Sequence, residues 1–388
     1  RRSFLKTSAL AGGGFMLSFS WLGACQTKPE DALAMPKEWF ELNGYLKVGD
    51  NGVVTIMSPN PEIGQNVKTS MPMIVAEELD VDWKNVIVEQ APLNTDIFVR
   101  QLAGGSQSIR QGWKGLRMAG ATARHMLREA AATTWNVPAN EITTEAGMLH
   151  HKASGKSAGY GEMASAAAKL EVPKEVELKD NKDFKIIGTS RKNVDGPKIV
   201  TGKPLYGLDY RKDGMLIAMI AHPPAFGMKL KSVDDTEARS MPGIKDVFTI
   251  KSYEDDYPRQ WCDVSSFPEL VVVVGNSTWE VMNARKALKL EWEQFADHSQ
   301  TFSTFQGGST DVKVPGGLEN SAKHMQMMAQ YSTKSGKVVR KDGDPAKAFK
   351  NAAKVIERTY TAPFLAHNTM EPMNFFAHVT DDKAELVG

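Results

Sequence analysis

The sequence predicts an α+β fold on three observations. Runs of β-branched residues, such as Gly52-Val53-Val54-Thr55-Ile56-Met57 and Val86-Ile87-Val88-Glu89, read as strands. Apolar residues at Val67, Met71, Ile74, Val75 and Leu79 recur at helical spacing through Asp80. Strand and helix patterns alternate along 388 residues with no fixed repeat period, and a composition of 41% hydrophobic and 24% charged residues fits packed cores while excluding a disordered or fibrous chain. At about 150 residues per domain the chain can bury two or three cores. Its formal charge of +1 gives no global field for polyanions, so a dedicated nucleic-acid binder is excluded and no nucleic-acid partner is expected.

Arg1-Arg2-Ser3-Phe4-Leu5-Lys6 opens the chain, and no charged residue follows until Lys28. This basic start ahead of the mildly apolar, Gly-rich stretch from Ala9 to Ala24 resembles a twin-arginine export signal over residues 1–25, which implies a periplasmic protein. The apolar run falls short of the ~20 residues of a spanning helix. Leu22-Gly23-Ala24-Cys25 resembles a lipobox, so Cys25 is either lipidated and membrane-anchoring or discarded with the leader. Arg1 stands where a start Met would, and an alternating strand pattern still runs at Glu385-Leu386-Val387-Gly388, so the sequence reads as a fragment.

Trp39 to Asp50 reads as a short strand and turn, and the strand from Gly52 ends at Pro59-Asn60-Pro61. After the helix through Asp80 and the strand at Val86 comes the loop Ala103-Gly104-Gly105-Ser106-Gln107-Ser108. A long helix then runs to about Trp135, where Ala119, Gly120, Ala121 and Ala123 allow close packing. Residues 141–190 hold short strands, an Ala-rich helix near Glu162 to Leu170, and a polar stretch from Lys174 to Asp183 that reads as an exposed connection. Composition shifts at Val194-Asp195-Gly196. Strands are expected at Met215 to Ile220, Val247 to Ile250 and Leu270 to Val274, and a helix from Thr278 to Leu288. Asp297 to Gly343 reads as a linker, with strands resuming at Ala353 to Thr361 and Phe375 to Thr380.

G-x-G-x-x-G, G-x-x-x-x-G-K-[ST] and H-E-x-x-H are all absent, which removes Rossmann, P-loop and zinc-protease readings. Cys25 and Cys262 cannot supply the four thiolates of an iron–sulfur cluster. His150-His151 cannot form a two-His metal site if they lie on a strand, where neighbours point to opposite faces, and they read as a solvated turn. No metal ligand is assigned.

Two loops point to an anionic ligand. Gly64-Gln65-Asn66 lies between a strand and a helix, where free N–H groups and the helix dipole favour negative charge. The loop from Gly104 to Ser108 repeats that logic with two glycines and two hydroxyls. Either loop alone is weak evidence, since Gly-Ser before a helix is more often a plain cap.

With these loops in view, the chain resembles the molybdenum-binding large subunit of the xanthine dehydrogenase and aldehyde oxidase family, in the branch typified by the isoquinoline 1-oxidoreductase beta-subunit. Glu62-Ile63-Gly64-Gln65-Asn66 is similar to the family's E-[ML]-G-Q-G loop, whose Gln bonds the pterin. Gly104-Gly105-Ser106-Gln107-Ser108 is similar to the loop that lines the molybdenum site and the cofactor phosphates. Asn66 replaces the family's usual Gly, a change the turn tolerates because Asn accepts φ > 0. Further landmarks are Val200-Thr201-Gly202-Lys203, Gly207-Leu208-Asp209, His222-Pro223-Pro224-Ala225-Phe226-Gly227 and Met241-Pro242-Gly243-Ile244, and then Pro363 to Met373.

The resemblance implies molybdenum-cofactor-binding elements flanking an α/β-hammerhead domain. The implied layout is a cofactor-binding segment over residues 26–190, the hammerhead over 195–295, a linker over 296–345 and a second cofactor-binding segment from 346 to 388. Gly64, Gln65, Gly104, Gly105, Ser106, Gln107 and Ser108 become cofactor-binding residues. The cofactor implied is molybdopterin cytosine dinucleotide with molybdenum. The reaction implied is hydroxylation of an N-heterocyclic aromatic or oxidation of an aldehyde, with water as oxygen source. Its catalytic glutamate is expected beyond residue 388; His367 and Glu371 are not assigned to it. Electrons would leave through a small iron–sulfur subunit toward an acceptor such as a cytochrome. The alternative is an exported lipoprotein that keeps the fold as a binding or assembly module.

Overall fold

The computed structural model describes residues 33–388 except 99, 255–256, 261–262, 264–266, 305–306 and 367, so the stretch that resembles an export signal, both cysteines and His367 lie outside the described residues. Helix and strand are mixed throughout, in an α+β fold with two compact units, one up to Leu205 and one from Tyr206 to Gly388.

The first unit opens with β1 (Trp39–Asn43), β2 (Leu46–Gly49) and β3 (Val54–Ser58), paired antiparallel in sequence order. Helix α1 (Val67–Leu79) then carries the chain across to β4 (Val86–Gln90), which joins β3 in parallel. The residues that gave the helical period, Met71, Ile74, Val75 and Leu79, are all buried. Asn66 at φ 68 begins the helix and Asp80 at φ 62 ends it, both in the left-handed region that Asn and Asp tolerate.

Helix α2 (Ser108–Trp135) packs along α1. At the crossing a Cβ on Gly120 would lie 2.2 Å from the Val75 carbonyl oxygen and 2.8 Å from the Glu78 Cβ, so glycine alone permits the approach. A three-stranded sheet of β5 (Ile142–Glu145), β6 (Met148–His151) and β7 (Lys156–Gly159) follows, with α3 (Tyr160–Ala167) and the short α4 (Gly196–Val200). Tyr160 is fully buried, and its hydroxyl donates to the Leu79 carbonyl at 2.7 Å.

The stretch from Lys174 to Asp183 is mostly exposed, as its composition suggested, but Lys179 within it is tied down. The Lys179 ammonium is only 10% exposed, held by Glu77 at 3.1 Å and Asp80 at 2.9 Å. Glu77, 1% exposed, also accepts three main-chain N–H bonds through Oε2, from Lys185 at 2.9 Å, Ile186 at 2.6 Å and Ile187 at 3.0 Å. Glu78, fully buried, accepts from Arg117 Nε at 2.7 Å and from the Lys179 N–H at 3.1 Å. The Arg117 guanidinium lies over the Trp113 and Phe184 rings. Polar residues are buried here because carboxylates on α1 wait for them; unpaired, those carboxylates would be too costly to bury.

His150 and His151 likewise do not form a solvated turn. Both lie on β6, and His151 is 5% exposed, with Nδ1 2.7 Å from Ser154 Oγ and Nε2 2.8 Å from Glu141 Oε2.

The second unit contains β8 (Ile217–Ala221), β9 (Met228–Asp234), α5 (Thr236–Ser240), β10 (Ile244–Lys251), β11 (Glu269–Gly275), α6 (Thr278–Ala287) and β12 (Lys289–Gln294). β10, β11 and β8 form one sheet in that order, antiparallel throughout, and β12 pairs with β9. Val247, Val271 and Val273 face α5 and α6 through Ala238, Val281 and Ala284, the core of the unit.

Residues 297–343, read as a linker, carry regular structure. β13 (His298–Ser303) and β14 (Ser309–Val314) form a hairpin whose turn holds Gly307 and Gly308 at φ 84 and 85, and α7 (Ser321–Ser332) is capped by Asn320. Both faces of this hairpin are largely exposed, which is why no apolar alternation marks it. Past α8 (Pro345–Asn351), the strand expected at Ala353 to Thr361 is not formed: among the described residues nothing pairs with it, and Tyr360 is 89% exposed. β15 (Phe376–Val379) and β16 (Ala384–Val387) form the last hairpin, where Phe375 to Thr380 was expected as a strand.

Candidate functional site

The two loops that read alike in sequence differ in the structure. In the first, Glu62 fills the start of α1: its Oε1 accepts from Gly64 N–H and Asn66 N–H at 2.8 Å each, and its Oε2 accepts from Lys68 N–H at 3.0 Å. The donors expected to hold an anion are therefore taken by the loop's own carboxylate. Gln65 is exposed and serves the same loop, accepting from Ile63 N–H at 2.7 Å and donating to the Pro61 carbonyl at 3.2 Å. Gly64 stands at φ 96, open to solvent.

The second loop is open. Gly105 and Ser106 follow one another at φ 60 and 55, the second a strained conformation for a residue with a Cβ. Gln107 occupies the N-cap of α2 with no side-chain cap bond, and the first turn has no acidic residue. The N–H groups of that turn and the positive end of a 28-residue helix thus face outward without a built-in counter-charge. No heavy atom stands within 4 Å of where a Cβ would be on Gly104 or Gly115, so backbone can be approached closely there.

A cavity of about 310 Å³ opens beside this helix start. Gln107 and Ser108 line it, together with Asn60, Arg100, Gln111 and the apolar wall of Tyr45, Phe98, Met71 and Leu116. Gly64, Gln65, Gly104, Gly105 and Ser106 are not among its lining residues. Tyr45 and Phe98 meet edge to face at 5.0 Å. Arg100 is the one charged residue among the described lining residues, and no carboxylate joins it. The chemistry offered is an aromatic and thioether wall leading to a guanidinium and an uncapped helix start, which suits a planar ring system with an anionic tail.

Asn60 connects the two loop regions. Only 3% exposed, it donates through Nδ2 to Ser108 Oγ at 2.9 Å and to the Leu102 carbonyl at 3.0 Å, tying the exit of β3 to both ends of the Gly-rich loop. Gln101 adds Nε2 donation to the Pro59 and Pro92 carbonyls, at 3.1 and 2.8 Å, and accepts from Asn94 N–H at 2.7 Å. Arg100 donates to Gln111 Oε1 at 3.0 Å, and Gln111 donates in turn to Gln107 Oε1 at 2.8 Å. Sequence reasoning passed over Asn60, Arg100, Gln101 and Gln111. The signal available was Asn60 between two prolines, a residue pattern that also marks any strand exit.

A second cavity of about 200 Å³ is lined by Glu77, Asp80, Asp82, Glu145, Lys185 and Arg191 among others. Its carboxylates are partly paired, as in the Lys185 contacts with Asp80 at 3.9 Å and Glu145 at 3.7 Å. The Glu141, His151 and Ser154 chain resembles a hydrolytic triad by distance, yet lines neither cavity and staples a hairpin. Glu371 accepts from Leu208 N–H at 3.1 Å, a long-range tie, and from Asn374 Nδ2 at 2.9 Å within its own turn. Among the described residues no group of three or more His, Cys, Asp or Glu could hold a metal ion, and no helix is long and apolar enough to cross a membrane.

Comparison with known proteins places this geometry. Residues 20–205 match the model of the molybdopterin cofactor-binding domain, a span that contains both loops and the cavity. The chain is 31% identical over 314 residues to the beta chain of isoquinoline 1-oxidoreductase from Brevundimonas diminuta, covering 70% of this chain and 37% of that one. It is 28% identical over 400 residues to the membrane-bound aldehyde dehydrogenase [pyrroloquinoline-quinone] of Gluconacetobacter polyoxogenes, covering 100% and 47% respectively. With a nicotinate dehydrogenase subunit of Pseudomonas putida it shares 24% over 354 residues, 88% of this chain and 26% of the relative. The chain thus spans less than half the length of each of these relatives.

Proposed function

Since the chain belongs to the molybdenum-binding large subunits of the xanthine dehydrogenase and aldehyde oxidase family, we propose that it forms part of a molybdenum hydroxylase acting on an N-heterocyclic aromatic or an aldehyde, with water as the oxygen source. The observation that carries this reading is the cavity beside the uncapped start of α2, with Arg100 its one charged lining residue. Arg100, Gln107, Ser108 and the N–H groups of the first α2 turn would hold the anionic part of a pterin dinucleotide, in its cytosine form by family resemblance, with Asn60 fixing Ser108. Tyr45, Phe98, Met71 and Leu116 would exclude water from its flat part. Gly104, Gly105 and Ser106 would shape the approach. The group supplies the oxygen transfer and takes up the electrons when bound; the chain's own residues bind it, orient it and keep it dry.

Gln65 enters this reading in a second role. Its bonds here are to its own loop, so contact with a pterin would require the side chain to exchange the Pro61 carbonyl for the ligand. The remaining proposals rest on resemblance: export by the twin-arginine route, attachment through Cys25 if the cysteine is retained, a hammerhead domain over residues 195–295, and a small iron–sulfur subunit leading to a cytochrome-type acceptor. Metal and pterin analysis of the full-length native complex tests the central claim. Molybdenum and a pterin dinucleotide in stoichiometric amount are expected, and their absence from a well-folded, inactive complex favours the binding module instead.

A further inference from the structure

The Glu62–Asn66 loop is wrapped around a single carboxylate, and the side-chain bonds of Glu62 and Gln65 all stay within residues 61–68. The outward tie is Lys68. Its main-chain N–H donates to Glu62 Oε2, and its side chain leaves in the other direction to Asp195 Oδ2 at 2.6 Å. Both side chains are largely buried, Lys68 at 12% and Asp195 at 7% exposure. The next residue repeats the contact: Thr69 Oγ1, on a residue 2% exposed, accepts from Val194 N–H at 3.1 Å. Two consecutive residues in the first turn of α1 are thus gripped by two consecutive residues that lie more than a hundred positions further along the chain.

We propose that Asp195 is a positioning residue for the Glu62–Asn66 loop, acting through Lys68. The charged groups facing Asp195 are the ammonium of Lys68 and that of Lys198, at 3.1 Å, so one carboxylate holds two cations. Burial pushes the Asp195 carboxyl up, while the bonds from Lys68 and Lys198 outweigh it and hold the group below the usual carboxylate range. Without the carboxylate the Lys68 ammonium is left buried and unpaired, and it relaxes by swinging to water. Loss of the pair from either side thus unties the first turn of α1, whose Lys68 N–H completes the Glu62 wrap. The far end of α1 stays in place, because Glu77 and Glu78 are fixed independently. The consequence for cofactor retention rests on the proposed function; the consequence for the loop does not.

The test uses the full chain with its partner subunits. Amide hydrogen exchange is followed at Gly64, Asn66 and Lys68 and along the buried part of α2, with molybdenum and pterin content measured on the same samples. In Asp195→Asn, exchange at the three loop amides should rise about tenfold or more, with α2 protection unchanged and cofactor content reduced. Asp195→Glu should restore protection in part, and the double exchange Lys68→Asp with Asp195→Lys should restore more of it than either single change. Lys68→Met removes the ammonium from the other side and must reproduce the local rise if Asp195→Asn is too unstable to measure. Unchanged exchange at residues 64–68, or a uniform loss of protection across the unit in both variants, overturns the proposal. A local rise in a protein whose wild type holds no pterin would sustain the positioning role and defeat the functional reading instead.

Discussion

Gly120 lies directly beneath the carbonyl of Val75, so close that a methyl group on Gly120 would stand 2.2 Å from that oxygen. Glycine inside a helix costs ~1 kcal/mol relative to alanine, so Gly120→Ala would stabilise an isolated helix. Here overpacking against backbone, typically about 1–3 kcal/mol, outweighs the gain because neither helix axis can yield without disturbing Glu78 and Arg117. Net destabilisation of about 2 kcal/mol is expected in urea denaturation. A variant as stable as wild type would show that α1 and α2 separate freely.

Acid should loosen the strap formed by residues 179–187. Burial raises the Glu77 carboxyl, but the N–H groups of Ile186 and Ile187 and the Lys179 ammonium more than offset it, leaving the group below the ordinary glutamate value. A depressed carboxylate contributes stability that is complete above its unfolded pKa and is lost as pH falls through the folded one, which places the loss below roughly pH 4. Glu77→Gln should remove about 3 kcal/mol at neutral pH and flatten the acid limb of the stability curve. Chemical denaturation at a series of pH values reads both, and an acid limb as steep as that of wild type would rule out Glu77 as its source.

Asn60 should matter to the cleft more than to the core. Asn60→Ala removes two donated bonds, for a loss of about 2 kcal/mol. Asn60→Asp keeps the shape but cannot donate, and should behave the same way. Both are expected to lower pterin retention in the native complex; full retention in both would show that the Gly-rich loop holds its form without this tie.

Gln65→Ala should leave thermal stability within about 1 kcal/mol of wild type, since the bonds it loses are exposed and local. Export should be intact. Molybdenum content is the decisive readout, and normal occupancy with normal turnover would remove Gln65 from the binding residues.

The parts of this fold that were legible in the sequence are those whose partners lie nearby in it. Met71, Ile74 and Leu79 announced α1 because one helix face repeats every few residues, and the left-handed turn at Asn66 was legible because Asn, which tolerates positive φ, stands where the resembled family has Gly. The small residues about Gly120 announced a close crossing without naming what is crossed. The strap was illegible: Lys179 looks like a solvated lysine until Glu77 and Asp80, some hundred residues earlier, are placed beside it. The two loops looked equivalent because the difference between them is one side chain, Glu62, whose direction no local pattern fixes. The hairpin of β13 and β14 escaped for the opposite reason, as it buries too little to leave a pattern.

The strap also sets an order of events during synthesis. Glu77 receives its main-chain donors from residues 108 to 110 positions downstream, so α1 cannot bury its acidic end until those residues have left the ribosome. At roughly 5–20 residues per second that interval is on the order of 5–20 s. During it the nascent helix carries unpaired carboxylates on the face that must later become interior, and premature docking against α2 is opposed by their desolvation. The acidic end of α1 therefore closes late, only once residues 179–187 have emerged to pair with it.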